Sequence, residues 1–143
     1  MQPIRDLDTL LSRMDPVLHS GRYAFVTLPS NLSGTPTSTI ATIVEPEGLS
    51  AIVAEREAVE MGLPVAFTAA WITLAVQSDL AAAGLTAGFA KAMAQAGISC
   101  NVVAGVHHDH LFVPVELAQQ AMAVLHALQQ AAAPDRRPRQ GET

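Results

Sequence analysis

The stretch from Met61 to Val115 carries only three charged side chains, Asp79, Lys91 and Asp109, and this feature most constrains the fold. Charged residues make up 15% of the 143-residue chain, against about a quarter of an ordinary globular protein. No run of about 18 apolar residues lacks both charges and turn residues, so the sequence excludes a transmembrane helix. A small domain leaves much of its surface exposed. The charge-poor stretch therefore predicts that another domain or a second copy of the chain covers part of that surface.

The charge balance and the single cysteine limit where the protein is expected to be located and what it is expected to bind. The formal net charge is −5, and Lys91 is the single lysine, so we expect no nucleic-acid partner. The opening residues 1–6 show no basic segment leading into an apolar one, which is untypical of a secretory signal. Cys100 is the only cysteine, so neither an intrachain disulfide nor a cysteine-built zinc site is expected. We expect a cytoplasmic protein with no membrane partner and no cofactor.

Hydrophobic periodicity and turn residues predict alternating helices and strands. The expected helices are residues 7–14, 55–61, a segment capped by Thr86 and ended by Gly97, and a last helix after Pro114. The expected strands are residues 22–28, 38–44, 49–54, 71–78, 98–104 and 108–113. Gly97 with Ile98 is typical of a Schellman stop.

These elements predict an α+β chain. The second half is β-α-β-β-α and the first is α-β-β-β-α, so neither completes a split βαβ unit alone. Together they suffice for two ferredoxin-like layers that share or exchange strands. We divide the chain into residues 1–68, residues 69–132 and a disordered tail at 133–143.

A histidine cluster, His107, His108, Asp109 and His110, is the first candidate for chemistry. On a strand, His108 and His110 share one face, and His107 and Asp109 share the other. A zinc site needs three or four ligands, which the cluster does not supply locally, so hydrogen-bonded imidazoles in a polar hairpin are favoured and no metal site is predicted. Cys100 lies between apolar neighbours, which is typical of a buried, inert thiol.

No catalytic pattern occurs elsewhere in the sequence. The nucleophile elbow Gly-x-Ser-x-Gly is absent, as are the glycine-rich nucleotide loops. We predict no catalytic residues and no enzymatic activity.

The junction between the strand at 71–78 and the helix near Thr86 is a candidate binding site. Free amides at a helix N-terminus bind carboxylates, and Asp79 can attract an amine. Asn101 on the adjacent strand offers a donor and an acceptor. An anion site close to a cation site suits a zwitterionic amino acid, although simple helix capping and a solvated Asp79 explain the same residues and are favoured from chemistry alone.

Several segments, taken in order and spacing, resemble the ACT domain, and in particular the regulatory ACT domains of aspartate kinases and small bacterial tandem ACT-like proteins. In the second half these segments are residues 71–78, Leu85–Phe89, Gln95–Val103, Asn101–Gly105 and His108–Pro114. In the first half they are Tyr23–Val26, Glu47–Ser50 and Gly62–Pro64. The resemblance extends from about Leu10 to Leu128.

The resemblance implies a ferredoxin-like, ACT-type sandwich of two small subdomains. ACT domains commonly bind amino acids at an interface between ACT units, near the loop from the first strand to the first helix. Carried onto this sequence, the implied ligand-binding residues are Gln77, Ser78, Asp79, Gly84, Leu85, Thr86, Ala87, Gly88, Asn101 and Val102. The segment 83–86 departs from the Pro-Gly pair common in that loop.

Two functions follow from this resemblance. The first is a non-enzymatic regulatory or sensor module for an amino acid or similar zwitterion, assembled as a homodimer or higher homo-oligomer. The alternative is a ligand-free, ACT-like interaction or oligomerisation protein that docks a partner through its apolar surface. An enzyme or metal protein using residues 107–110 ranks last.

Overall fold

The computed structural model describes residues 6–76 and 84–132 of the chain. The elements follow in the order α1 (Leu7–Ser12), β1 (Pro16–Leu18), β2 (Tyr23–Leu28), β3 (Ala41–Glu45), β4 (Gly48–Ala54), α2 (Glu55–Glu60), β5 (Phe67–Leu74), α3 (Leu85–Gln95), β6 (Asn101–Ala104), β7 (Asp109–Pro114), a 3-10 turn (Val115–Leu117) and α4 (Ala118–Ala132). Among these residues, no helix has the length and hydropathy needed to cross a bilayer.

All the described strands join one antiparallel sheet in the order β3-β4-β2-β5-β7-β6. Strand β5 is central to both halves of the chain. β2 pairs with the first residues of β5, 67–69. β1 pairs with the last residues of β5, 72–74, along the same edge of β5. β7 pairs along the other edge of β5. The two halves therefore share one sheet, and the predicted α+β ferredoxin-like fold with shared strands is confirmed.

The described helices pack on one face of this sheet. Ala70, Ile72 and Leu74 of β5 belong to a core formed with α1, α3 and α4. Ala24 of β2 belongs to a smaller core formed with α2. Ala24 pairs directly with Thr68, so it shares the face of Ala70 because strand side chains alternate. The opposite face of the sheet carries most of the aromatic side chains.

The N-terminal segment completes the second half of the molecule. Leu10 and Met14 have no solvent exposure and lie in the core beneath α3 and α4. The Ala75 amide donates to the Met14 carbonyl at 2.8 Å, which ties the end of α1 to the end of β5. The division at residue 68 stays a prediction, and the tail at 133–143 lies outside the described residues.

The ends of several elements differ from the predictions. β5 covers 67–74, not 71–78, because Phe67 and Ala69 find partners on β2 that no local pattern reveals. β1 is an additional strand after the predicted helix. Gly84, not Thr86, is the N-cap of α3, which begins one residue before Thr86. The Schellman stop is present, since the Ile98 amide donates to the Met93 carbonyl at 2.9 Å.

Candidate functional site

The N-terminus of α3 contains most of the predicted ligand residues that the structure describes. The N-cap Gly84 adopts a φ of 107° and offers no side chain to cap the helix. The first helical bond runs from the Gly88 amide to the Gly84 carbonyl at 2.8 Å, so the Leu85, Thr86 and Ala87 amides precede the helical ladder. Thr86 and Ala87 are exposed, whereas Leu85 is buried. Among the described residues these three amides therefore have no helical acceptor, and two of them belong to exposed residues.

α1 lies against this end of α3 at two glycines, where an added Cβ would be in ordinary van der Waals contact. A Cβ at Gly84 would lie 3.5 Å from Leu7 Cδ2, and a Cβ at Gly88 would lie 3.5 Å from Leu11 Cδ2. The positive φ of Gly84 also suits glycine better than any other residue. The N-terminal helix thus flanks the start of α3.

The remaining predicted residues that the structure describes, Asn101 and Val102, point to opposite faces of the sheet. Gln77, Ser78 and Asp79 lie outside the described residues. Val102 packs into the core on the helix side of the sheet. Asn101 pairs with Phe112, and paired side chains share a face, so Asn101 is on the face opposite α3. Within one chain, Asn101 and the start of α3 do not converge.

Asp109 is a feature of this region that the sequence did not reveal. It alternates with Leu111 and Val113 along β7 and so faces the helix side. Because His110 pairs with Thr73, Asp109 lies at the sheet end where β5 leaves toward α3. Its side chain is 8% exposed, and it is the one buried polar or charged residue in the described part of the chain. Burial raises the pKa of its carboxyl group.

The predicted histidine pairing is replaced by a different cluster. β7 begins at Asp109, so His107 and His108 precede the strand. His110 instead meets Trp71 and Thr73 on β5: Trp71 Nε1 donates to His110 Nδ1 at 3.1 Å, and Thr73 Oγ1 lies 3.1 Å from the same nitrogen. His19 stacks on Trp71 with 3.6 Å between ring centroids. Its Nε2 lies 2.7 Å from Thr73 Oγ1.

This cluster requires a neutral His110. The indole nitrogen of Trp71 only donates, so His110 Nδ1 must accept and the ring proton resides on Nε2. The same conclusion follows from the electrostatics. Burial lowers the pKa of both His110 and His19, and neighbouring imidazoles lower it further.

We expect the stability of the protein to fall as the pH drops through the histidine range. The folded pKa values of His19 and His110 are below their unfolded value of about 6.5. The unfolded chain therefore takes up protons first, and stability is complete above pH ~6.5 and lost on acidification toward the folded pKa values. Urea unfolding at pH values between about 7.5 and 5 tests this.

Histidine variants separate the contribution of His19 and His110 to this pH dependence from that of other titrating groups. The variant His19→Gln/His110→Gln should lose the slope in this window, whereas the exposed His126→Gln should keep it. Asp6 and Glu57 also have lowered carboxyl pKa values, but carboxyl groups with lowered pKa values titrate below pH ~4.5, outside this window. An unchanged slope in the double variant would contradict the assignment.

The Cys100 thiol and a metal site are the two other candidates for chemistry. Burial raises the pKa of the Cys100 thiol to about 11, so it is protonated at neutral pH. Residues 6–76 and 84–132 contain no group of three or more side chains arranged to hold a metal ion.

Comparison with known proteins covers most of the chain. Two ACT domain family models match it, one over residues 2–70 and the other over residues 67–127. The chain belongs to the ACT domain family. The two ACT matches are in tandem and overlap at residues 67–70, within β5. ACT domains are typically regulatory ligand-binding modules.

Solved structures agree with this tandem ACT fold. A Vibrio cholerae protein of unknown function, described as a possible transport protein, is 42% identical, with a TM-score of 0.74 over 87% of this chain and 96% of that one. A protein from Agrobacterium tumefaciens is 15% identical, with a TM-score of 0.59 over 80% and 87% of the two chains. The regulatory subunit of aspartate kinase from Thermus flavus is 13% identical, with a TM-score of 0.53 over 79% and 95%. No curated protein matches the sequence significantly.

Proposed function

We propose that this tandem ACT protein is a cytoplasmic, non-catalytic regulatory module that binds an amino acid or a similar small zwitterion where ACT units meet. The observation that carries the proposal is the start of α3, where the amides of Leu85, Thr86 and Ala87 precede the helical ladder and no N-cap side chain covers them. This is the strand-to-helix position at which ACT domains commonly bind their ligands.

The ligand carboxylate is assigned to these amides. Helix N-terminal amides and the helix dipole both favour an anion. α3 has no acidic residue in its first turn, so no side chain of that turn competes for the position. Exposure of Thr86 and Ala87 leaves an approach from solvent.

The ligand ammonium is assigned to an aspartate carboxylate. Asp79 is proposed for this role from the sequence, since it lies between β5 and α3. Asp109 supports an acidic group in this region because it is a buried acid on β7, beside the end of β5. An ammonium beside it would oppose the effect of burial and favour the ionised carboxylate.

Regulation would follow from the position of the site between ACT units. Asn101 faces away from α3 within one chain, so its proposed contact with the ligand requires a second copy. A homodimer or larger homo-oligomer would bring these parts together. A ligand that contacts two copies stabilises the arrangement in which both contacts are made, and it shifts the population toward that state.

A thermal-shift screen with the common amino acids tests binding. At about 100 times the dissociation constant, a ligand specific for the native state adds about 2.7 kcal/mol and raises the Tm by several degrees. The variant Thr86→Asp introduces a carboxylate beside the amides of α3. We expect it to abolish the ligand-induced shift, while the basal Tm stays equal or rises because the helix dipole favours the new charge.

Gln120→Glu is the matched control, since it adds the same charge to the first turn of α4 and should keep the full shift. Asp79→Ala should remove the part of the shift that depends on the ligand amine. A full shift in Thr86→Asp would contradict the carboxylate assignment, and no shift with any amino acid would favour the second function below.

The alternative function is a ligand-free interaction protein that associates through an exposed sheet edge. β3 is the last strand at one edge of the sheet, and its Ile43 and Val44 side chains are 55% and 88% exposed. Uncovered apolar edge strands pair readily with another chain. We propose a second copy as that partner.

Val44→Lys tests the edge. A lysine on an edge strand opposes strand addition, so the variant should have a lower mass than the wild type in light scattering coupled to size exclusion. Thr42→Lys is the comparison variant. Thr42 lies on the same face of β3 as Val44 but closer to the start of the strand. Identical masses for wild type and Val44→Lys would exclude this edge as the interface.

A further inference from the structure

The sheet face opposite the helices forms a cleft, because the sheet curls and brings its two edge strands together. Ala41 of β3 and Val103 of β6 line both lobes of this space. We call the two lobes together the concave cleft. It lies on the face of the sheet opposite α3, and so it is separate from the amides assigned to the zwitterion.

The first lobe is mainly apolar and has one acidic group. Its volume is about 280 Å³, and Phe25, Ile43 and Ile52 line it. Glu45 also lines it and accepts a hydrogen bond from the Ser50 hydroxyl. Apolar walls with a few polar groups are typical of small-molecule sites.

The second lobe is aromatic and ends at a fixed hydrogen-bond donor. Its volume is about 360 Å³, and Trp71, Phe112 and His110 line it. His110 Nδ1 accepts from Trp71, which leaves the ring proton on Nε2. That nitrogen would lie 3.4 Å from a Cβ at Gly105, which also lines the lobe. The absence of a side chain at Gly105 therefore leaves room beside the His110 donor.

The lining selects the charge and length of a ligand. Glu45 is the charged side chain of the first lobe and His110 is neutral, and the chain as a whole carries a net charge of −5. These charges favour a cation over an anion. An extended strand spans about 13 Å from Ala41 to Glu45. This length suits a ligand whose ammonium is separated from an aromatic ring by a chain of several carbons.

We propose that the concave cleft is a second ligand site that binds arylalkylamines, with the ammonium at Glu45 and the apolar body between Val103 and Ala41. The ring extends toward Trp71 and Phe112 in the second lobe. Such a ligand has no carboxylate, so it does not depend on the amides at the start of α3. This site is independent of the zwitterion site proposed above.

Trp71 reports occupancy directly, since it is the single tryptophan of the chain and lines the second lobe. We expect a saturable change in its fluorescence with 4-phenylbutylamine and a much weaker response to 4-phenylbutyrate, which has the opposite charge. Glu45→Gln should weaken amine binding by about two- to fivefold, the effect of an exposed ion pair. It should leave the response to the acid unchanged or stronger.

Filling the cleft gives a second, independent test. Val103→Phe should abolish the response to the amine, whereas Val106→Phe, at an exposed position outside the cleft lining, should preserve it. Equal binding of amine and acid, no response in the wild type, or undiminished binding in Val103→Phe would each overturn the proposal. A fluorescence change that follows protein concentration instead of ligand would also overturn it and assign the cleft to a second copy.

Discussion

Leu10→Ala is expected to lower the free energy of unfolding by about 2–5 kcal/mol, the range for a buried leucine truncated to alanine. Leu10 has no solvent exposure and packs in the core that also holds Phe89 of α3 and Leu125 of α4. The substitution lies near the start of the chain, yet its effect falls on the second ACT half. The loss is a large part of a total stability of about 5–15 kcal/mol.

Urea unfolding of Leu10→Ala beside Leu7→Ala measures this effect. Leu7 is on the same short helix but is 38% exposed, so its truncation should cost much less. An equally small loss of stability in Leu10→Ala would mean that α1 does not pack on the second half. That result would contradict the shared core. A single cooperative transition in the wild type would agree with two halves that unfold together.

Phe112→Ala is expected to cost about 3–5 kcal/mol. The ring is fully buried at the centre of the aromatic face. It stacks with Trp71 at 6.4 Å between centroids and meets the edge of Phe25 at 5.5 Å. Its removal deletes contacts to both halves of the sheet, since Phe25 is on β2 and Trp71 on β5.

The emission of Trp71 provides a structural readout for the same variant. We expect it to shift toward the red in Phe112→Ala, because the indole loses an apolar neighbour and gains water. Phe112→Leu, which keeps most of the volume, should lose much less stability and retain most of the native emission. Wild-type stability in Phe112→Ala would show that the aromatic face does not contribute to the core.

The order of helices and strands could be predicted from the sequence because its signals are local. Gly97 and Ile98 end α3 as the pattern indicates, with the Ile98 amide bonded to Met93. β1 could not be predicted, because three residues after a helix become a strand only by pairing with β5. The early start of β5 depends in the same way on β2.

The candidate site was predictable in part. The amides at the start of α3 follow from a strand, a loop and a helix in sequence. The N-cap is Gly84 and not the predicted Thr86, because a glycine with positive φ serves that role without a side chain. The burial of Asp109 was missed, because it depends on the register that places His110 beside Thr73. The face of the sheet on which Asn101 lies also depends on long-range strand pairing, here with Phe112.

We propose that the start of α3 binds the carboxylate of a small zwitterion, and an amide NMR titration tests this binding most directly. With the amino acid that gives the largest thermal shift, we expect the Leu85, Thr86 and Ala87 amide signals to move most and to saturate together. If these three signals stay unchanged while the amino acid saturates signals elsewhere, the ligand binds at another place and the account of this site is contradicted.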